Sequence, residues 1–378
     1  MKQIIKVVFS RLFIVSILIL IQAIILGIGI WKLSEYFVYL YVLFAVVSII
    51  VVIYILNKKG NPSYKLAWVI PILLFPVFGG LFYLVFGGDK TGKKFKDSIR
   101  KIYENTKGLL SQNEGIVGEL KDIDKNIANQ FIYTKDYSMF PVYKNTETKY
   151  LSPGENFFDR LQEELKKAKH FIFMEYFIVE EGIMWDTILD ILIEKVKEGV
   201  EVRVMYDDAG TIQTLPYKYY EKLECLGIKT VVFNEIRPRL SLKMNNRDHR
   251  KITVIDGWVG FTGGINLADE YINEKERFGH WKDASIMIKG EAVKNLTLMF
   301  LQVWNFDKNE QEDYKKYLEC SYEGENIKTD GYVQPYADSP LDEETVGENV
   351  YLNIIQKAKE YVYINTPYLI IDNELVTA

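Results

Sequence analysis

The sequence predicts an α/β lobe, with a mostly parallel sheet flanked by helices, preceded by an N-terminal module of transmembrane helices. Three uncharged apolar runs stand before residue 90. After residue 140, amphipathic helix patterns alternate with short apolar strand patterns. Strands separated by helices are typical of parallel sheets covered on both faces. A chain of 378 residues is long enough for two to three domains.

The three apolar runs are each long enough to cross a bilayer. They are Leu12–Ile30, Tyr36–Leu56 and Leu66–Gly88, with 19, 21 and 23 residues. A helix rises ~1.5 Å per residue, so each run could span a hydrocarbon core of ~30 Å. Pro71 and Pro76 kink or break helices, so we expect two or three spans and a multi-pass protein. The positive charges do not settle which membrane face carries the rest of the chain.

The net charge of −5 combines two unlike parts. Residues 1–101 carry 13 Lys and Arg against 3 Asp and Glu, a net of +10, and the remainder carries 33 against 48, a net of −15. Nucleic-acid binding needs a basic surface, so the acidic part argues against a nucleic-acid partner. Three scattered His and two Cys argue against a zinc site, and we expect no metal and no cofactor.

The α/β pattern follows from alternating segments. A helix begins near Pro153, and the apolar strand His170–Val179 follows it. Gly199 ends a predicted helix over 183–198, and Gly227 ends a further helix, because glycine is the usual residue after a helix C-terminus. The remaining predicted elements are a strand over 200–205 and a strand over Lys229–Phe233.

An internal repeat links residues 167–179 with residues 357–369. KAKHFIFMEYFIV resembles KAKEYVYINTPYL at an offset of 190 residues, and three residues, KAK, are identical at the start. The alternative is a generic likeness between helix-then-strand units. Repeated supersecondary units indicate a duplicated fold, so we expect the second copy to form a strand as the first does.

One segment, NNRDHRKITVIDGWVGFTGGIN, combines residue types that suit phosphodiester chemistry. It reads His249-x-Lys251-x4-Asp256, followed by Gly263, Gly264 and Asn266. A neutral imidazole is a nucleophile toward phosphorus, a carboxylate can orient it, and an ammonium group neutralises phosphate oxygens. Glycine backbone and an Asn amide can donate to a phosphate. A salt-bridged surface cluster is the alternative.

This segment resembles the H-x-K-x4-D and G-G-x-N motifs of the phospholipase D superfamily, and more closely those of bacterial cardiolipin synthases. MEYFIVEEG, YDDAG, HWKDASIMIKG and NTPYLIIDNEL are similar to other segments of that family in the same order, and residues 61–87 to its membrane module. The resemblance implies transfer of a phosphatidyl group between two phosphatidylglycerol molecules through a phosphohistidine, with release of glycerol, at a bacterial cell membrane rich in anionic lipids.

The family carries two such motifs, whereas this chain has one. The resemblance therefore implies a C-terminal truncation before the second motif, and a chain that is inactive until a second lobe is supplied in cis or by another chain. We expect a membrane module over 1–88, a linker over 89–130, a first lobe over 131–327 and an incomplete second lobe over 328–378. The alternatives are a dimeric hydrolytic phospholipase D or phosphodiesterase, and a non-catalytic membrane protein with a decayed site.

Overall fold

The computed structural model describes residues 11–32, 34–58, 60–87, 93–236, 247–308, 312–319, 327, 329–338, 344–369 and 371–378. The chain divides into two compact units. The first comprises Met1–Lys90 with Ile370–Asn373, and the second comprises Thr91–Leu369 with Glu374–Ala378.

The first unit is helical wherever secondary structure is assigned. Its helices are α1 (Arg11–Lys32), α2 (Ser34–Asn57), α3 (Pro62–Leu74) and α4 (Pro76–Phe82), followed by a π-helical turn, Tyr83–Gly87. Among the described residues, one stretch, Val38–Asn57 in α2, is long and apolar enough to cross a membrane. The prediction of two to three spans, and hence of a multi-pass protein, stays a prediction.

The third apolar run is broken, as its prolines predicted. Helix α3 ends after Leu74, and α4 starts at Pro76. Phe75, between them, has φ −128° and ψ 68°, which is not helical. The ring of Pro76 disfavours a helical conformation at the residue before it, which explains the break.

The second unit is a seven-stranded sheet with helices on both faces. Three helices come before the sheet: α5 (Lys93–Thr106), α6 (Glu114–Ile123) and α7 (Lys125–Ser138). The sheet region contains β1 (Thr146–Leu151), α8 (Gly154–Leu165), β2 (Phe171–Tyr176), α9 (Ile183–Lys197), β3 (Glu201–Asp207), α10 (Asp208–Thr211), α11 (Tyr219–Cys225), β4 (Lys229–Phe233), β5 (Ile252–Ile255), β6 (Val259–Gly263) and β7 (Ser285–Gly290). The remaining helices are α12 (Val293–Lys308), α13 (Lys315–Leu318), α14 (Val346–Lys357) and α15 (Asn373–Thr377).

The prediction of a mostly parallel sheet is wrong, because the sheet is mixed. The strand order is β1-β7-β6-β5-β2-β3-β4. Only the β2–β3 and β3–β4 pairs are parallel, and the other four pairs are antiparallel. Helices α9 and α11 connect the parallel strands. Strands β5 and β6 are joined by a tight turn, which can connect only antiparallel neighbours.

That turn spans Ile255–Trp258, and its two central residues have left-handed backbones. Asp256 has φ 52° and Gly257 has φ 65°. The turn closes where the Trp258 N–H donates to the Ile255 carbonyl at 3.1 Å. Asp-Gly is the dipeptide that such hairpin turns favour. The turn fixes the register of β5, and the N-terminal end of β5 carries the candidate site.

Strand β2 separates two hydrophobic cores. Ile172, Met174 and Tyr176 face the core that also contains Trp185 of α9. Phe171 and Phe173 face the other core, which contains Trp304 of α12. Successive side chains of a strand point to opposite faces, so a strand covered on both sides reads as the continuous apolar run seen in the sequence.

The strand expected in the second copy of the repeat does not form. No strand is assigned over the described residues 358–369, and Tyr361 and Tyr363 are exposed. In the first copy, β2 is hydrogen-bonded on both sides, to β3 and β5. A strand needs such pairing because its backbone groups are satisfied by neighbouring strands. Helix α14, which precedes these residues, does form.

Candidate active site

His249 and Lys251 lie immediately before β5 and face the same side, as their spacing predicts. The Lys251 Nζ atom lies 3.3 Å from His249 Nδ1, and it donates to the His249 carbonyl oxygen at 2.6 Å. Residues two apart on an extended backbone share a face. Lys251 is buried, whereas His249 is exposed. The pair therefore presents an accessible imidazole with a cation beside it.

Burial and neighbouring charges shift the pKa of both side chains. Burial, and then the Lys251 charge, lower the pKa of His249, so its neutral form is favoured at neutral pH. Burial lowers the pKa of Lys251 to about 8, against the opposing effect of three carboxylates, Asp248, Asp283 and Asp207. At pH 7 the pair therefore combines a neutral imidazole with a charged ammonium group.

Two aromatic rings border the pair, and the motif analysis did not predict them. The Phe177 ring centroid lies 4.6 Å from that of His249, and Lys251 Nζ lies 5.4 Å from the Phe177 centroid. Tyr368 meets His249 edge-on, with a centroid distance of 6.3 Å. Both residues fall within segments that resembled the family, MEYFIVEEG and NTPYLIIDNEL, and that resemblance was the available signal.

Asp256 lies at the opposite end of β5, so the expectation that it orients His249 is wrong. Its carboxylate accepts three backbone N–H bonds, from Lys169 at 2.8 Å, His170 at 2.7 Å and Phe171 at 2.8 Å. A strand advances ~3.3 Å per residue, which places Asp256 roughly 16 Å along the chain from Lys251. Asp256 anchors the start of β2 to the β5–β6 turn.

Gly263 and Gly264 have structural reasons to be glycine. A Cβ on Gly263 would stand 2.5 Å from the Ala284 carbonyl oxygen and 2.6 Å from the Ser285 Cα atom. A Cβ on Gly264 would stand 2.3 Å from an oxygen of Asp283. The Gly264 N–H donates to the Ala284 carbonyl at 3.0 Å, so the expectation that it donates to a phosphate is wrong.

Asn266 is buried, and both ends of its amide are engaged. Its Oδ1 atom accepts from the Ile178 N–H at 2.9 Å, and its Nδ2 atom donates to the Tyr271 hydroxyl at 2.7 Å. These contacts tie the segment after β6 to the segment after β2. A phosphate contact by Asn266, predicted from the motif, stays a prediction.

The two residues that flank His249 belong to a charged cluster whose carboxyl groups are buried. Arg250 Nε lies 2.9 Å from Glu175 Oε1 and 3.0 Å from Asp248 Oδ1. The Asp248 N–H donates to Asp207 Oδ2 at 2.9 Å, and Arg247 Nη1 lies 3.3 Å from Asp207 Oδ1. Asp207 also caps α10 by accepting the Ala209 N–H. Glu175 and Asp207 fall within MEYFIVEEG and YDDAG, and the resemblance of these segments to the family was the available signal.

The site's chemistry is that of a nucleophile or acid beside a fixed cation. Among the residues that the structure describes, no group of three or more His, Cys, Asp or Glu side chains has the arrangement of a metal site. His249 can accept or give a proton, or attack an electrophile. Lys251 can neutralise negative charge that develops beside it.

Comparison with known proteins defines the family. The family model "Phospholipase_D-nuclease N-terminal" matches residues 46–88, and "Cardiolipin synthase, PLD-like domain" matches residues 161–304. An uncharacterized protein of Streptococcus mutans serotype c is 46% identical over 324 residues, covering 86% of this chain and 70% of that protein. The cardiolipin synthase of Alkalihalophilus pseudofirmus is 35% identical over 342 residues, covering 89% and 67%. The chain belongs to the cardiolipin synthase family of phospholipase D-like proteins.

The chain spans 65–70% of the length of each of eight curated relatives that it matches, including these two. Among solved structures, it is similar to the phosphatidylserine synthase of Haemophilus influenzae, with a TM-score of 0.37 and 14% identity over 50% of this chain and 46% of that one.

Proposed function

We propose that this chain supplies one histidine of a cardiolipin synthase site, which transfers a phosphatidyl group from one phosphatidylglycerol to another. The observation that carries the proposal is the exposed His249 imidazole with the buried Lys251 ammonium 3.3 Å from it. Family membership at 35% identity to a cardiolipin synthase supports the same reaction.

In the proposed reaction one phosphodiester replaces another. A histidine nitrogen attacks phosphorus, and the P–O bond to the headgroup glycerol breaks. A second histidine gives its proton to the departing glycerol oxygen. The terminal hydroxyl of a second phosphatidylglycerol then attacks the phosphohistidine and returns a proton to the second histidine. Lys251 stabilises the charge on the non-bridging oxygens, and His249 takes one of the two histidine roles.

The second histidine comes from a second H-x-K motif, in a further lobe of the same polypeptide or in another chain. In this proposal residues 131–327 form the first lobe and residues 328–378 belong to the second. Residues 1–378 alone are therefore inactive. The repeat KAKEYVYIN, which resembles the β2 region of the first lobe, supports this organisation.

We further propose that residues 1–88 hold the protein in a bacterial cell membrane as a multi-pass module, with residues 89–130 as the linker. Helix α2 exposes apolar side chains along its length, including Val38, Leu43, Ile50 and Ile53. A large exposed apolar surface indicates contact with lipid or with another protein. Phosphatidylglycerol, the proposed substrate, is itself an anionic membrane lipid.

The test compares two preparations on vesicles containing phosphatidylglycerol labelled in its headgroup glycerol. Purified residues 1–378 should release no glycerol. The protein expressed from its own gene should form cardiolipin and labelled glycerol in equal amounts, and His249→Gln should abolish both products. Turnover by monomeric residues 1–378, or wild-type activity in His249→Gln, would contradict the proposal. Phosphatidic acid in place of cardiolipin would favour a hydrolase, and turnover that rises with the square of the protein concentration would favour a dimeric site.

A further inference from the structure

The residues on either side of His249 belong to an ionic cluster in which the carboxyl groups are buried and Arg250 is partly exposed. Backbone alternation places His249 and Lys251 toward the site, and Asp248 and Arg250 away from it. Arg250 Nε lies between two carboxyl groups, 2.9 Å from Glu175 and 3.0 Å from Asp248. Glu175 is 1% exposed and Asp248 is 8% exposed. We propose that Glu175, Asp248 and Arg250 form a positioning clamp, which fixes the backbone on both sides of His249 and so directs its imidazole and the Lys251 ammonium group.

Glu175 comes from β2, the strand beside β5. It follows Phe171 and Phe173 on the strand face that packs into the core around Trp304. A carboxyl group in this position is costly unless it is neutral or paired, and Arg250 is its partner. The clamp thus ties the residue after His249 to a rigid central strand.

Asp248 is held at two points. Its backbone N–H donates to Asp207 Oδ2 at 2.9 Å, and its carboxylate accepts from Arg250 Nε at 3.0 Å and Nη2 at 3.4 Å. Asp207 ends β3, the next strand of the sheet after β2. The backbone before His249 is therefore fixed from β3, and the backbone after it from β2.

The clamp holds two buried carboxyl groups against one guanidinium group, an arrangement that favours one neutral and one ionised carboxyl group. The negative charge of Asp248 disfavours a second negative charge on Glu175 beside it. Burial raises the pKa of Glu175 well above its usual value. Burial also opposes ionisation of Asp248, but the charge of Arg250 and the hydrogen bonds that Arg250 donates outweigh it and lower the pKa of Asp248. We infer that Glu175 is the neutral carboxyl group, and that Asp248 carries the charge that balances Arg250.

This arrangement predicts how charge changes at the clamp reach the site. Lys251 and Asp248 are the charged groups that act on His249, whereas Asp248, Asp283 and Asp207 act on Lys251. The Tyr103 hydroxyl of α5 also interacts electrostatically with Arg250. Replacing Glu175 by Gln keeps a neutral side chain of the same shape and should change little. Replacing Asp248 by Asn leaves Glu175 to ionise against Arg250, so folding should persist while the negative charge nearest His249 is lost.

The test measures the reaction of each histidine with diethyl pyrocarbonate, which modifies the neutral imidazole. The chain has three His, and His170 and His280 are exposed, so both serve as internal references in peptide mass spectrometry. Residues 1–378 in detergent micelles are compared as wild type, Glu175→Gln, Asp248→Asn, the double variant and Arg250→Lys. Asp190→Asn, an exposed change on α9, is the matched control.

We expect Glu175→Gln and Asp190→Asn to match the wild type in unfolding midpoint and in the pH midpoint of His249 modification. In Asp248→Asn, the pH midpoint of His249 modification should move to lower pH, because the Asp248 charge raises the pKa of His249. Below the wild-type midpoint, the rate of His249 modification should rise roughly twofold or more. The double variant should lose far more stability than the two single changes together, because Arg250 then has no counter-charge. Arg250→Lys keeps the positive charge but loses the Nε contact. It should change the modification rate of His249 but not the rates of His170 and His280.

Three results would overturn the clamp. Glu175→Gln could prove as damaging as the double variant, which would mean that Glu175 is ionised. The loss of stability in the double variant could equal the sum of the losses in the two single variants. The His249 rate could stay unchanged in both Asp248→Asn and Arg250→Lys while the protein remains folded. The positioning role rests on the proposed function, but these readouts need no turnover, so failure of the clamp and failure of the cardiolipin synthase proposal are distinguishable.

Discussion

The sharpest prediction concerns Asp256, the last residue of the H-x-K-x4-D motif. Asp256→Asn should destabilise the second unit while leaving the His249–Lys251 pair intact. The Asp256 carboxylate is 5% exposed and accepts the N–H groups of Lys169, His170 and Phe171 within 2.8 Å. Asn tolerates the left-handed backbone at φ 52°, so this change tests the carboxylate rather than the turn.

The magnitude follows from the three bonds. Oδ1 accepts two N–H groups and Oδ2 accepts one, so an Asn side chain can keep the two bonds to its oxygen but meets the third N–H with its own NH₂ group. Hydrogen bonds to charged groups contribute about 1.5–3 kcal/mol each. Losing one such bond and the charge on the others should lower the free energy of unfolding by about 2–3 kcal/mol. Asp256→Ala should lower it by roughly 3–5 kcal/mol, because the buried Phe171 N–H also loses its acceptor.

The assay is urea unfolding of residues 1–378 in detergent micelles, followed by tryptophan fluorescence. Trp185 and Trp304 are buried in the two cores of the second unit and report its unfolding. Below the transition, the diethyl pyrocarbonate rate at His249 should equal that of the wild type, and Asp190→Asn serves as the control. An unchanged unfolding midpoint together with an altered His249 rate would refute the reasoning, because Asp256 would then act on the imidazole.

Three further predictions follow from the site. Lys251→Met should remove activity of the complete enzyme but raise the free energy of unfolding at pH 7.5. The pKa of Lys251 falls from its usual 10.5 to about 8 because burial of the ammonium group is costly, and Met avoids that cost. Between about pH 8 and 10.5 the unfolded wild type binds more protons than the folded form, so its stability should rise with pH there, and this rise should vanish in Lys251→Met but persist in Lys197→Met. Activity of the complete enzyme should fall above about pH 8 as Lys251 loses its proton, and below the lowered pKa of His249; a flat pH–rate profile would contradict these assignments. Gly263→Ala should destabilise more than Gly264→Ala in urea unfolding, because its Cβ meets backbone atoms whereas that of Gly264 meets a side-chain carboxylate; overpacking costs about 1–3 kcal/mol.

Hydrophobic patterning predicted the parallel half of the sheet well, because β2, β3 and β4 are covered on both faces. The strand over Lys229–Phe233 has the predicted bounds, and the predicted helix over 183–198 ends within one residue of α9. The antiparallel direction of β5 and β6 was not predicted, because the apolar pattern of strands of four and five residues does not specify the direction in which they pair. The Asp256-Gly257 pair between them was the one local signal of a hairpin.

The placement of His249 and Lys251 followed from their spacing, since residues two apart share a face of an extended chain. The clamp could not be predicted in the same way. Glu175 and Arg250 are 75 positions apart in the sequence and meet only because β2 pairs with β5. Contacts of this kind depend on strand order, which local patterns do not determine.

The two ends of β5 divide the motif between chemistry and stability. His249 and Lys251 precede the strand, and Asp256 follows it, so the three residues cannot act as one triad. The negative charge that the Lys251 cation needs comes instead from Asp207 at the end of β3, Asp248 before β5 and Asp283 before β7. Because these carboxylates belong to three different strand connections, the electrostatics of the site depend on the assembled sheet. A change that shifts β3 or β7 should therefore alter the protonation of Lys251 without touching the motif.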